Sequence, residues 1–263
     1  MKSVRERIFL GIIHMKKSLL CAVISTAAFS QMTFANEATQ NAPDWSLSGN
    51  VTLASDYRWR GISMTQNEPA IQGGLRVSHK SGAYAGVWAS SSDVANGSSI
   101  EADFMLGYRH ALNDKSALTV QYIDINYPGA TAAFDTDFSE ISLTYTQQSL
   151  FKPNDGLTAA VAYSNNYYFE SGDMVRLDAR YNYPINSNFG VLVAGGMTQL
   201  EDKQAFLKVW GNADKDHYYD WKAGVTSNLF GVFSELYYAD NSTVNAAADS
   251  MDARVVFSVT KVF

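Results

Sequence analysis

Near the end of the chain, apolar or aromatic side chains stand two residues apart at Val255, Phe257 and Val259, and the same spacing reaches the terminal Phe263. Arg254, Ser258 and Thr260 occupy the alternate positions. A period of two gives a strand one apolar and one polar face. A soluble protein has no need to finish on such a strand with a bare aromatic, whereas an outer-membrane β-barrel closes on one. Val255, Phe257, Val259 and Phe263 are therefore expected to form the C-terminal signal read by barrel-assembly machinery. Lys261 stands where an outward aromatic is more usual, but its long stem lets the ammonium snorkel to water.

The other end agrees. Met15-Lys16-Lys17 followed by Ser18 to Phe29 has the charged and apolar regions of an export signal, and Thr33-Phe34-Ala35 offers small residues for cleavage after Ala35. The apolar run is too short to cross a bilayer as a helix. Translation could start at Met1 or Met15. Cys21, the only cysteine, lies within this segment, so residues 36–263 contain neither disulfide nor thiolate metal site.

Residues 36–263 hold 15 Lys and Arg against 25 Asp and Glu, a formal charge of −10. So acidic a chain is ill suited to nucleic acid, which is bound through basic surfaces. The mean hydropathy of −0.15 resembles that of a soluble protein. Barrel strands give such averages because lipid-facing and lumen-facing residues alternate. A soluble periplasmic sandwich has the same composition, and the termini argue against it.

Residues 36–44 read as a short linker and 45–263 as one all-β domain, a transmembrane antiparallel barrel of about twelve strands. Alternating segments fall near 45–60, 70–79, 83–90, 99–110, 117–126, 137–147, 157–165, 174–183, 189–196, 218–227, 232–239 and 251–263. In the first, Trp45, Leu47, Val51, Leu53, Tyr57 and Trp59 share the outward face. Five connections are tight and rich in turn residues, such as Lys80-Ser81-Gly82, and alternate with six generally longer ones. Outer-membrane barrels show this asymmetry of short periplasmic turns and longer outer loops. In the longest connection, Thr198-Gln199-Leu200-Glu201 matches a capping box and Gly211 suits a helix end; an irregular loop is the alternative.

The strings SDYRWRGIS (55–63), PAIQGG (69–74), YAGVWAS (84–90), NYPGA (126–130) and YYDWKAGV (218–225) resemble the TorF-like family of outer-membrane porins, from about residue 46 to the C-terminus. The resemblance implies a barrel in the bacterial outer membrane acting as a channel. It brings no catalytic residues.

Charged side chains on the strands must face the interior, because Arg at the bilayer midplane costs about 2–4 kcal/mol. Asp56, Arg58 and Arg60 at the end of the first segment, Glu101 and Asp103 in the fourth, and Arg176, Asp178 and Arg180 in the eighth are the expected pore-lining residues. They form either a constriction that filters small polar or charged solutes or a set of Arg–carboxylate pairs that stiffens the wall. Twelve strands lie between the filled interior of about 8 and the aqueous channel of 16–18, so a narrow pore is expected.

Two other classes remain open. A barrel phospholipase would need a His two residues before a Ser nucleophile. His79-Lys80-Ser81 has that spacing, but it lies in a tight turn where the two side chains are not expected to meet, and no third group is evident. The remaining histidines of the barrel, His110 and His217, are too dispersed for a metal site, and no cofactor is expected. A structural or adhesive barrel without an open pore is the third class; its acidic loop residues Asp93, Asp135, Asp137, Glu170, Asp173, Asp214 and Asp216 would bind divalent cations or simply be solvated. The expected surroundings are outer-membrane lipid and lipopolysaccharide.

Overall fold

The computed structural model describes residues 43–133, 135–243 and 248–263. The expected leader and most of the linker lie outside the described residues. β1 (Trp45–Ala54) is followed by a small hairpin of β2 (Arg58–Trp59) and β3 (Ile62–Ser63), then β4 (Ala70–His79), β5 (Ala83–Ser91), β6 (Ile100–Asn113), β7 (Ser116–Asn126) and β8 (Phe138–Gln148). β9 (Gly156–Ser164), β10 (Met174–Pro184), β11 (Phe189–Leu200), helix α1 (Lys203–Trp210), β12 (His217–Leu229), β13 (Val232–Asn241) and β14 (Arg254–Val262) complete the chain. All strands except β2 and β3 form one closed antiparallel barrel in which sequence neighbours pair and β14 returns to β1. The seam runs from Asn50 opposite Val262 to Ala54 opposite Ser258. No described helix is long and apolar enough to cross a membrane, which says nothing of a β-barrel.

The period-two pattern sorts the side chains as expected. On β1, Trp45, Leu47, Val51 and Leu53 are exposed on the outer wall, while Asn50 and Thr52 are buried inside. On β14, Val255 and Phe257 face out, and Thr260 is buried facing Thr52, with their hydroxyls 2.8 Å apart. Lys261 reaches the carbonyl of Gly231 in the adjacent turn, 3.0 Å away, so its charge leaves the apolar band. Short turns and long loops gather at opposite ends, hereafter the turn end and the loop end.

The first strand is shorter than its alternation indicates. It stops at Ala54, and Tyr57 and Trp59 lie inside rather than on the lipid face. The Asp56 carboxylate gathers Arg58 Nε (2.7 Å), Ser63 Oγ (2.6 Å) and Thr65 Oγ1 (3.2 Å), drawing the chain back on itself. Trp59 pairs with Ile62 across Arg60 (φ 53°) and Gly61 (φ 80°). Positive φ at both central residues is the geometry of a tight hairpin turn, easily met by Gly61.

The helix in the longest connection exists, but its start is displaced. β11 continues through Leu200, leaving Thr198 in the barrel interior, and Asp202 is the cap, accepting from the amides of Gln204 and Ala205. Gly211 ends the helix at φ 70°, as expected. The helix is tethered by Phe206, which is fully buried against Tyr218.

One turn is organised by a single carboxylate. Asp155 accepts from the amides of Leu150 (2.6 Å), Phe151 and Lys152 (both 2.9 Å) and from the Tyr181 hydroxyl (2.7 Å). Although burial pushes the other way, these bonds hold its carboxyl below the usual carboxylate range. A depressed folded-state pKa contributes stability above the ordinary value near ~3.9 that is lost as pH falls through the folded value. Susceptibility to an acid protease at residues 149–155, or hydrogen exchange relative to the unstructured rate at the same pH, should therefore rise as pH drops below about 4. Asp155→Asn should show the faster exchange already at neutral pH.

Candidate functional site

The interior is tiered. At the loop end, Tyr57, Ile62, Tyr127, Phe138, Tyr167, Tyr168, Phe206 and Tyr218 form part of one buried apolar cluster drawn from the loops and the strand ends beneath them. Phe138 meets Tyr167 edge-on at 4.8 Å, and Trp59 lies 5.8 Å from Phe138. Next come the charged residues. Towards the turn end the wall carries neutral polar groups, including Asn50, Thr52, Gln121, Thr144, Thr158 and Thr260, all buried.

All eight residues expected to line the pore face the interior; six of them are buried, and Arg60 and Asp178 are partly buried. Their surroundings differ from the expectation in two respects. Arg58 and Arg60 do not sit on the face of β1; they belong to the inturned hairpin. Arg58 is held by Asp56, the Gly61 carbonyl and Asn67 Oδ1. Arg60 makes a two-pronged pair with Glu140 on β8 (2.8 and 2.7 Å) and stacks its guanidinium over Trp59 at 4.0 Å. The hairpin is thus fastened to the wall by a charge-assisted fork.

The other arginines are also engaged. Arg176 Nη1 bonds Thr198 (2.9 Å) and Asp220 (2.6 Å), Nη2 reaches the second Asp220 oxygen (3.1 Å), and Asp178 stands 3.7 Å from Nε. This link passes from β10 over β11 to β12. Gly196 makes room for it, since a β-carbon there would fall 2.3 Å from Arg176 Nη2. Arg180 bonds Asn182 and Glu235, and Lys222 Nζ lies 3.6 Å from the same Glu235. Glu140, Asp220, Lys222 and Glu235 are the partners that sequence reasoning missed. Each alternates with an outward apolar residue (Ile141, Trp221 or Leu236), the same signal that identified the others.

Glu101 and Asp103 are the exception. Glu101 accepts from the Tyr57 hydroxyl at 2.9 Å, but among the described residues no Lys, Arg or His forms an ion pair with either carboxylate. A cavity of about 160 Å³ lies between hairpin and wall. Its lining includes Tyr57, Arg60, Trp88, Glu101, Asp103, Glu140, Arg176 and Arg180.

Outside the barrel interior, His79 Nδ1 lies 2.9 Å from Ser81 Oγ, so these side chains do meet, contrary to the expectation from the turn. The contact is solvent-exposed, and the His79 ring rests against Trp45 at 4.6 Å. Among the described residues no cluster of three or more His, Cys, Asp or Glu is arranged to hold a metal. Several acidic loop residues serve local structure instead: Asp137 accepts from the Tyr127 amide at 2.7 Å, and Asp173 from the Tyr163 hydroxyl at 3.0 Å.

Comparison with solved structures places the architecture among outer-membrane porins. The NanC porin superposes with a TM-score of 0.51 at 10% identity, covering 82% of this chain and 98% of that one. The KdgM porin gives 0.51 at 8% identity, covering 82% and 99%. KdgM has also been solved in complex with disordered oligogalacturonate, and that structure gives 0.50 at 7% identity, covering 82% and 98%. At such identities the likeness concerns the fold. No curated protein sequence matches the chain. Residues 37–263 match the family described as bacterial protein of unknown function, Gcw_chp, and the chain belongs to that family.

Proposed function

We propose that this barrel is a restricted outer-membrane channel for passive diffusion of small polar or charged solutes, not an enzyme. The observation that carries the reading is the cavity enclosed by charged residues in the barrel interior, adjoined by a polar wall that continues towards the turn end. A barrel serving only as an anchor has no need of so many buried charges, each of which costs desolvation energy. The fold shared with porins and the resemblance to the TorF-like family support the same reading. In the outer membrane the turn end would face the periplasm and the loop end the exterior.

The lumen suits a different cargo from the acidic oligosaccharide present in the KdgM complex. Arg58, Arg60, Arg176 and Arg180 are each paired with a carboxylate, whereas Glu101 and Asp103 form no ion pair among the described residues. A lumen of this kind should favour cations.

The test is single-channel recording of the purified protein in a planar bilayer. Small, discrete conductance steps are expected, with a reversal potential in a potassium chloride gradient that shows cation preference. A second reading, a barrel without an open pore, is favoured by the aromatic filling of the loop end. Absence of conductance from heat-modifiable, folded protein would decide for it.

A further inference from the structure

We infer that Glu101 and Asp103 form a binding subsite for a small organic cation, a solute with a protonated amine on a short apolar chain. The inference rests on the channel reading for its role, while the site itself stands on geometry. Glu101 is 3% exposed and Asp103 4%, and both line the cavity. Asp103 Oδ1 accepts no hydrogen bond. They are successive inward residues of β6, so each makes the other costlier to ionise, and a cation bound between them would offset that cost for both. Buried carboxylates without a counter-charge are costly, and the surrounding cations do not relieve them: Arg60 is committed to Glu140, and Arg176 to Asp220.

The frame around the carboxylates selects the class of cation. Trp88 is directly opposite Asp103 on β5 and meets Tyr57 edge-on at 5.5 Å. Ile125 is opposite Asp103 on β7, and Ile123 lies one inward step further along the strand. All four line the cavity. Aromatic faces attract ammonium groups, and the isoleucines offer an apolar surface to an alkyl chain. A hard divalent ion instead requires 6–8 oxygen ligands, or several waters held by carboxylates. Trp88, Ile123 and Ile125 supply none.

The experiment uses the folded full-length barrel and n-butylammonium chloride as probe, with magnesium chloride as a parallel arm. Wild type is compared with the isosteric double variant Glu101→Gln/Asp103→Asn, after heat-modifiable migration has shown both to be folded. Butylammonium should reduce potassium conductance saturably and give a saturable heat on calorimetric titration in detergent. The variant should weaken both by about tenfold or more. Saturable heat from a barrel that never conducts would uphold the subsite and overturn the channel. Conductance without block or heat, equal binding by the variant, or block by magnesium but not by butylammonium would each overturn the subsite.

Discussion

Glu140→Ala should loosen the inturned hairpin and enlarge the proposed channel. The substitution leaves the Arg60 guanidinium buried with no partner for its fork, and breaking a buried pair from one side costs about 3–5 kcal/mol. That cost is avoided if the hairpin lifts and Arg60 reaches water. The temperature at which the barrel converts from its compact to its slow-migrating form on a gel should fall, and single-channel conductance should rise and become noisier. Glu140→Gln keeps the shape and one acceptor, so its effects should be smaller. Trp59 against Phe138 and Tyr167 still holds the hairpin in either variant. If Glu140→Ala shifts neither readout, those aromatic contacts alone seat the hairpin and the fork is dispensable.

The same hairpin marks the limit of what alternation can reveal. Strand positions were legible because lipid and lumen impose opposite demands on neighbouring residues, and a one-residue slip would expose charges to hydrocarbon. Ala70–His79 on β4 coincides with the segment read from the sequence, and most other strands differ by one to four residues at an end. At 55–63 both sides of the chain become interior. Tyr57 and Trp59 continue the period of two beyond Ala54, yet Tyr57 is buried and Trp59 partly buried because the chain turns inward, not because the strand continues. The turn itself was hidden, since Arg60 adopts the left-handed conformation without being an Asn, Asp or Gly. The cap of α1 was misplaced for a related reason: Thr198 has the right spacing to Glu201, but pairing with Arg176 and Tyr218 draws it into β11.

The charged belt was half legible. Single arginines and carboxylates stood out against apolar neighbours, but their pairing depends on which strands the closed barrel brings into reach. Arg60 and Glu140 are 80 residues apart in sequence, and Arg180 and Glu235 are 55 apart. Sequence reasoning therefore could not choose between a charged filtering constriction and a wall stiffened by Arg–carboxylate pairs. The pairing favours the latter, and it shifts attention from the arginines to Glu101 and Asp103.

Deleting Phe263 should cut the yield of folded barrel several-fold, and the reason lies at the seam. Its amide donates to the Gly49 carbonyl (3.0 Å) and its carbonyl accepts from the Gly49 amide (2.8 Å), extending the β1–β14 ladder past Val262. Its ring lies over Gly49 beside Leu75: a β-carbon at Gly49 would stand 2.7 Å from Phe263 Cε2 and 2.8 Å from Leu75 Cδ2. The absence of a side chain at Gly49 thus provides the seat for the terminal ring. Deletion removes the two hydrogen bonds, each contributing roughly 1 kcal/mol, together with the ring's contacts. Gly49→Ala should impair assembly in the same direction, and combining the changes should be less than additive because both act on one contact. Refolding into detergent separates closure from recognition. If the truncated chain refolds as fast as wild type while its outer-membrane yield falls, Phe263 acts through the assembly machinery, with Val255, Phe257 and Val259 as the rest of the signal. If refolding slows in parallel, the seam contact itself limits closure. Unchanged yield in cells would remove the terminal aromatic from both roles.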